Sequence, residues 1–231
     1  MLQAHSGRAA ICGPPRSSDS AARPCRKDIN VLRRRYPRLR VILSRIGVGA
    51  LHLTPRWLME AFDRTIRPLL YDPEKIVRPF VAPGDRVADI GCGAGYFDPA
   101  LSRLIGSSGE LLLLDVQEEM LHRAAERVRE DPAARSAVTG VLISGKDLQL
   151  PPDVDFALMS WMLHEVKDPE GYWRVLGHSI RPAGKVLVIE PLIHVSARRW
   201  EQQLDPAKRF GFVRKDIGGV LFSRTSVMTK R

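Results

Sequence analysis

Arg86-Val-Ala-Asp-Ile-Gly-Cys-Gly-Ala-Gly-Tyr96 is the stretch whose reading decides the fold. Its first five residues read as a short buried strand. The strand runs into a turn in which Gly91, Gly93 and Gly95 alternate with small side chains. Glycine lacks a Cβ, so it reaches positive φ cheaply and lets a ligand approach the backbone. A strand, a tight glycine turn and a helix together build a nucleotide-sized cleft at the carboxyl edge of an α/β sheet. The spacing is Asp-x-Gly-x-Gly-x-Gly, not the Gly-x-Gly-x-x-Gly of dinucleotide-binding turns, which argues against a nicotinamide dehydrogenase.

Outward from this turn, apolar strands alternate with helices. Phe97 to Ile105 reads as a helix with Pro99 in its first turn, where proline is tolerated. Leu111 to Val116 is a continuous apolar strand. Glu118 to Glu130 is an amphipathic helix with Met120, Leu121, Ala124 and Val128 inward. Strands follow at Ala137 to Ser144 and at Phe156 to Met159. Asp168 to Ser179 is a helix, Pro182-Ala183-Gly184 a turn, and Lys185 to Glu190 a fifth strand. A helix over Ala197 to Leu204 precedes two closing strands, Phe212 to Ile217 and Ser223 to Thr229, joined around Gly218-Gly219 as an antiparallel hairpin. The expected fold class is α/β, a Rossmann-like, seven-stranded, mostly parallel sheet covered on both faces.

Upstream of the turn, Thr54-Pro55 resembles a helix start, and Leu58, Ala61, Phe62 and Ile66 share one helical face. Asp72-Pro73-Glu74 opens a second helix carrying Ile76, Val77 and Phe80. Residues 1–50 are expected to form a basic, disordered extension and residues 51–231 the folded domain. The net charge of +10 belongs to that extension, because residues 1–50 hold eleven Lys/Arg against two Asp/Glu. Residues 51–231 hold twenty-five against twenty-four, so a uniformly basic RNA-binding domain is disfavoured. Three readings of the extension stay open: a solvated tail or sequence upstream of the true start codon, an organelle-targeting peptide, or a contact with an anionic surface such as RNA or lipid headgroups. No uncharged apolar run reaches the length of a membrane span. Cys12, Cys25 and Cys92 are odd in number and lack metal-ligand spacing, so no metal site is expected and a reducing compartment, the cytoplasm, fits best.

Asp115 ends the second apolar strand, twenty positions after Gly95. An acid there can accept hydrogen bonds from a ribose diol, or it can cap the helix that begins at Glu118. With the glycine turn beside it, ribose binding is favoured.

The chain resembles the class I S-adenosylmethionine-dependent methyltransferases over roughly residues 55–231. Four segments carry the likeness: Val87-Ala-Asp-Ile-Gly-Cys-Gly-Ala-Gly95, Leu112-Leu-Leu-Asp-Val116, Asp155-Phe-Ala-Leu-Met159 and Arg181-Pro-Ala-Gly-Lys-Val-Leu-Val-Ile-Glu190. Asp115 to Leu121, His164-Glu165, Glu190-Pro191 and His194-Val195-Ser196 look like a small prokaryotic-type branch. The resemblance implies S-adenosylmethionine as cofactor and places Gly91, Cys92, Gly93 and Gly95 against its methionine and ribose parts. Asp89 would organise the turn, Asp115 would hold the ribose, and Val116 would pack on adenine. Many relatives offer the acid of a Gly-Asp pair to the adenine amino group. Here the text is Gly145-Lys146-Asp147, so Asp147 stands one position later. Met159-Ser160-Trp161 would line the transfer side.

Methyl transfer from a sulfonium needs alignment above all, and a base only where the acceptor must lose a proton. His164 is the candidate base, because it follows the fourth strand and histidine titrates near neutrality; His194, after the fifth strand, is a weaker one. Glu165 and Glu190 would bind a substrate cation or form surface ion pairs. Cys92 reads as a packed, inert thiol. Trp173 reads as helix packing and Trp161 as a substrate wall. No Asn-Pro-Pro-Tyr-like text or Pro-Cys follows the fourth strand, so a small-molecule acceptor remains by elimination. An RNA methyltransferase using the basic extension, and a cofactor-binding module without transfer activity, are the alternatives.

Overall fold

The computed structural model describes residues 71–144, 148–192 and 195–231. The expected extension, the Thr54-Pro55 helix, Asp147 and His194 lie outside the described residues.

The first described helix, α1 (Pro73–Val77), starts where Asp72 accepts a hydrogen bond from the Glu74 N–H at 3.0 Å, with proline at the first position. A 3₁₀ turn over Arg78–Phe80 continues it. The chain then alternates β1 (Arg86–Ile90), α2 (Asp98–Ile105), β2 (Glu110–Asp115), α3 (Glu118–Glu130) and β3 (Ala137–Leu142). It continues through β4 (Val154–Ser160), α4 (Pro169–Ser179), β5 (Ile180–Pro191) and α5 (Ala197–Leu204), and closes with β6 (Phe212–Ile217) and β7 (Ser223–Lys230).

Among the described residues these strands form one seven-stranded sheet in the order β3-β2-β1-β4-β5-β7-β6. β1 to β5 pair in parallel, while β7 runs antiparallel to both β5 and β6. The expected architecture is therefore the observed one. From β1 the chain winds outward through β2 to β3, then returns to place β4 on the other side of β1. The crevice between the carboxyl ends of β1 and β4 is thus the switch point where ligands of such sheets bind.

The sheet is apolar on both faces because strand neighbours point to opposite sides. Ala88, Ile90, Met159, Val188 and Met228 face α4 and α5, with Trp173 fully buried among them. Val87, Phe156, Leu158, Ile189 and Val227 face α1, α2 and α3. The Trp173 indole N–H donates to the Gln203 carbonyl at 2.7 Å, so this tryptophan is helix packing, as its spacing indicated.

One boundary differs from expectation. Pro182-Ala183-Gly184 was expected to be a turn ahead of the fifth strand. Instead β5 begins at Ile180, and the three residues lie within it as an irregularity: Val154 pairs with Ile180 but Phe156 with Lys185, with Ala183 at φ 64°. The extra residues bulge out and the strand resumes in register. β3 is an edge strand and mostly exposed, so its expected extension to Ser144 stops at Leu142.

Candidate functional site

The glycine turn is anchored by the sheet itself. The Gly91 and Cys92 N–H groups both donate to the Leu114 carbonyl, at 2.7 and 3.0 Å, and Gly95 N–H donates back to Cys92 at 3.0 Å. Gly91, Gly93 and Gly95 adopt φ of 73°, 53° and 78°, which disfavour any residue with a Cβ. The three differ in what a side chain would meet. At Gly91 a Cβ would press on Met162 at 2.8 Å, and at Gly95 on the Ala124 backbone at 2.8 Å. At Gly93 it would meet nothing among the described residues within 4 Å. Gly91 and Gly95 therefore serve close packing, while Gly93 borders open space.

Asp115 stands beside that space. One carboxylate oxygen accepts the Gly93 N–H at 3.0 Å and the other the Gln117 N–H at 3.0 Å. The helix-cap alternative is thereby corrected: the N-cap of α3 is Gln117, which makes no side-chain cap, and Asp115 instead ties the end of β2 to the turn. Each oxygen keeps a further lone pair for a hydroxyl donor. Val116, next along, is 53% exposed. An open glycine after β1 thus stands beside a fixed carboxylate and an exposed apolar side chain at the end of β2.

Asp89 is buried within β1. Beside it lies Asp98, a residue that sequence reasoning passed over. Asp98 opens α2, is fully buried, and neither of its oxygens accepts from a protein N–H or O–H among the described residues. Burial first, and then the neighbouring Asp89 carboxyl, push Asp98 well above the usual carboxyl range, against the opposing pull of Arg127. A proton retained on the pair relieves the repulsion. Cys92 is also buried, and desolvation with the nearby Asp98, Asp89 and Asp115 carboxylates drives its thiol upward, so it stays a packed thiol rather than a nucleophile.

At the carboxyl end of β4, Ser160 pairs with Ile189 of β5. Trp161 adopts φ 59°, its N–H donates to Ile189, and its indole N–H donates to the Ser223 hydroxyl at 3.3 Å. His164 follows in a 3₁₀ turn over Leu163–Glu165. Its Nδ1 lies 2.6 Å from Glu190 Oε2, while Glu190 Oε1 accepts the Leu163 N–H at 2.8 Å. Glu190 was expected at the surface or on a substrate cation, but it is fully buried at the end of β5 and serves His164. With Nδ1–H donating to this carboxylate, Nε2 becomes the basic nitrogen of the ring. The arrangement is a histidine oriented by a buried acid.

Residues 88–188 match the family model described as a methyltransferase domain. The ubiquinone/menaquinone biosynthesis C-methyltransferase UbiE of Vibrio vulnificus is 31% identical over 109 residues, covering 47% of this chain and 42% of the relative. Its counterpart in Yersinia pestis is 30% identical over 122 residues, covering 51% and 48%. The chain thus spans under half the length of these relatives. Among solved structures, a SAM-dependent methyltransferase from Aquifex aeolicus superposes with a TM-score of 0.65 at 24% identity, over 77% of this chain and all of the other. A SAM-dependent O-methyltransferase from Thermotoga maritima superposes at 0.55 and 19% identity, over 69% and 64%.

Proposed function

We propose that this chain, which carries a class I S-adenosylmethionine-dependent methyltransferase domain, transfers the donor's methyl group to a small-molecule acceptor by in-line displacement. The observation that carries this reading is the open side of Gly93 next to the Asp115 carboxylate, at the β1/β4 switch point. When bound, S-adenosylmethionine supplies a methyl group already activated by the positive charge on sulfur. The protein's part is then to bind, orient and exclude water.

In this reading the backbone of Gly91, Cys92, Gly93 and Gly95 lies against the donor, and Asp115 accepts from its ribose hydroxyls. Val116, exposed beside Asp115, covers the adenine. Asp89 organises the turn. Ser160 and Trp161 border the transfer side. His164 takes the acceptor's proton on Nε2, held by Glu190. General-base groups contribute about 10²–10⁴-fold where a proton must leave.

A small acceptor is supported by what the sequence lacks after β4, where text for gripping a nucleobase is absent. The UbiE relatives are named C-methyltransferases and the Thermotoga maritima protein an O-methyltransferase, so carbon and oxygen are the acceptor atoms worth testing. Among the described residues no helix is long and apolar enough to cross a membrane. The test is transfer of radiolabelled methyl from the donor to fractionated host metabolites and, in parallel, to host RNA. Label in a small-metabolite fraction supports the proposal; label confined to RNA, or to neither, refutes it.

A further inference from the structure

Arg199 and Gln203 stand four positions apart on α5, so they share one helix face. That face meets the 3₁₀ turn that carries His164. Gln203 Nε2 donates to the Leu163 carbonyl at 2.8 Å, and the Arg199 guanidinium donates to the His164 carbonyl. Glu190 accepts the Leu163 N–H at 2.8 Å and holds His164 Nδ1 at 2.6 Å. Leu163 is thus gripped at both its N–H and its carbonyl by side chains from β5 and α5. The helix is itself fixed: Ser196 accepts the Arg199 N–H at 3.2 Å, and the Trp173 indole of α4 donates to the Gln203 carbonyl at 2.7 Å.

Gln203 is the informative residue. It is 4% exposed, on the stretch of α5 whose Trp200 and Leu204 join the core. Among the described residues its amide makes one hydrogen bond, the one to Leu163, and its Oε1 has no donor. Burying an amide with an acceptor unpaired is costly, whereas a methionine of similar length would pack there without that cost. Nor does the Leu163 carbonyl depend on the glutamine, because it also accepts the Val166 N–H at 3.2 Å. Fold stability alone therefore favours an apolar side chain at 203. What the glutamine adds is a fixed link between α5 and the turn of His164.

The link matters because Glu190 cannot follow a moving turn. It is fully buried within β5, which pairs with β4 on one side and β7 on the other. Displacing the turn by about 1 Å would carry His164 Nδ1 from 2.6 Å out of hydrogen-bonding range of the carboxylate. Misplacement on that scale costs an enzyme about 10²-fold in rate.

We infer that Gln203 is a positioning residue for the transfer reaction: it pins the Leu163 carbonyl so that His164 keeps Nδ1 on Glu190 and leaves Nε2 to take the acceptor's proton. The inference rests on the reading of His164 as the base and adds the residue that holds it in place. Arg199 assists from the same face. It is exposed, so water competes for its bond and its share is the smaller one.

The experiment follows the His164 Nδ1–H by NMR in the full chain with isotope-labelled histidine. His164→Ala identifies the resonance by removing it. In the parent this proton should exchange slowly with water, because the carboxylate holds it. Gln203→Met should speed the exchange about tenfold, the scale of one hydrogen bond lost, while the urea midpoint stays at the parent's value or rises. Arg199→Met should speed it less, and Gln202→Met, at an exposed neighbour, not at all. Parent-like exchange in Gln203→Met, or no His164 resonance in the parent, would overturn the inference. Faster exchange with a lower midpoint and an equal rise at the Trp173 indole N–H would also overturn it, since that pattern marks a merely structural role. Titration with S-adenosylhomocysteine should give parent-like affinity in every variant. Failure of the parent to bind it would overturn the methyltransferase reading, and this role with it, whatever the exchange rates.

Discussion

Alanine at Gly93 and alanine at Gly95 should do opposite damage, although the two positions are two residues apart in one turn. Both residues sit at positive φ, 53° and 78°. A left-handed conformation costs a residue with a Cβ about 1–2 kcal/mol, and both variants bear that cost. At Gly95 the new methyl also meets the Ala124 Cα at 2.8 Å and Asp98 Oδ2 at 3.0 Å. The first of these is backbone of α3, so relief requires moving a helix. Overpacking of this kind adds about 1–3 kcal/mol, for a total of roughly 2–5 kcal/mol. At Gly93 the methyl meets nothing among the described residues within 4 Å. It costs only the φ term in the free chain, but it projects into the space assigned to the donor. Urea unfolding followed by circular dichroism reads the stability, and calorimetric titration with S-adenosylhomocysteine reads the site. Gly93→Ala should lose about 1–2 kcal/mol of stability and at least tenfold in affinity, which is about 1.4 kcal/mol. Gly95→Ala should lose more stability than Gly93→Ala. Parent-like affinity in Gly93→Ala would refute the placement of the donor. Equal stability of the two variants would refute the packing assigned to Gly95.

Four further substitutions probe the rest of the site. Asp115→Ala should weaken donor binding by about 1.5–3 kcal/mol and lower the unfolding free energy by about 1–3 kcal/mol, since the Gly93 and Gln117 N–H groups lose their acceptor; titration and urea unfolding check the two effects, and unchanged affinity contradicts the ribose role. Asp98 has a folded pKa well above that of an unfolded carboxyl, so the folded state holds the extra proton and stability falls as pH rises from about 3.9 to the folded value, by up to about 1.4 kcal/mol per pH unit. Asp98→Asn should remove that slope and stabilise the chain above the window, as followed by urea unfolding at several pH values. His164→Ala should cut the transfer rate by about 10²–10⁴-fold with donor affinity intact, and Glu190→Gln should cut it less, because Glu190 holds the histidine rather than touching substrate.

The sheet was legible because its strands are continuous apolar runs and its turns carry glycine or proline. The bounds of β1, α3, α5 and β6 follow directly from those signals. The Pro182–Gly184 bulge was not legible, because a turn between strands and a bulge within one strand use the same residues; only pairing with β4 separates them. Asp115 was readable from its place at a strand end, but its actual partners were not, and it does not cap α3. It bonds the turn and the following residue, and it retains acceptor capacity toward the open side. Glu190 was misplaced because an acid at the end of an apolar run reads as a surface charge. Its burial is explained by two partners, Leu163 N–H and His164, that lie more than twenty residues away. Asp98 had a detectable signal, an acid at a helix start within nine residues of Asp89, but one strand position decides whether the two side chains meet.

Titration of S-adenosylmethionine into the full chain tests the central claim most directly. The account predicts a saturable one-to-one isotherm that Gly93→Ala and Asp115→Ala each weaken. An isotherm with no binding, in a chain that unfolds cooperatively in urea, would contradict it.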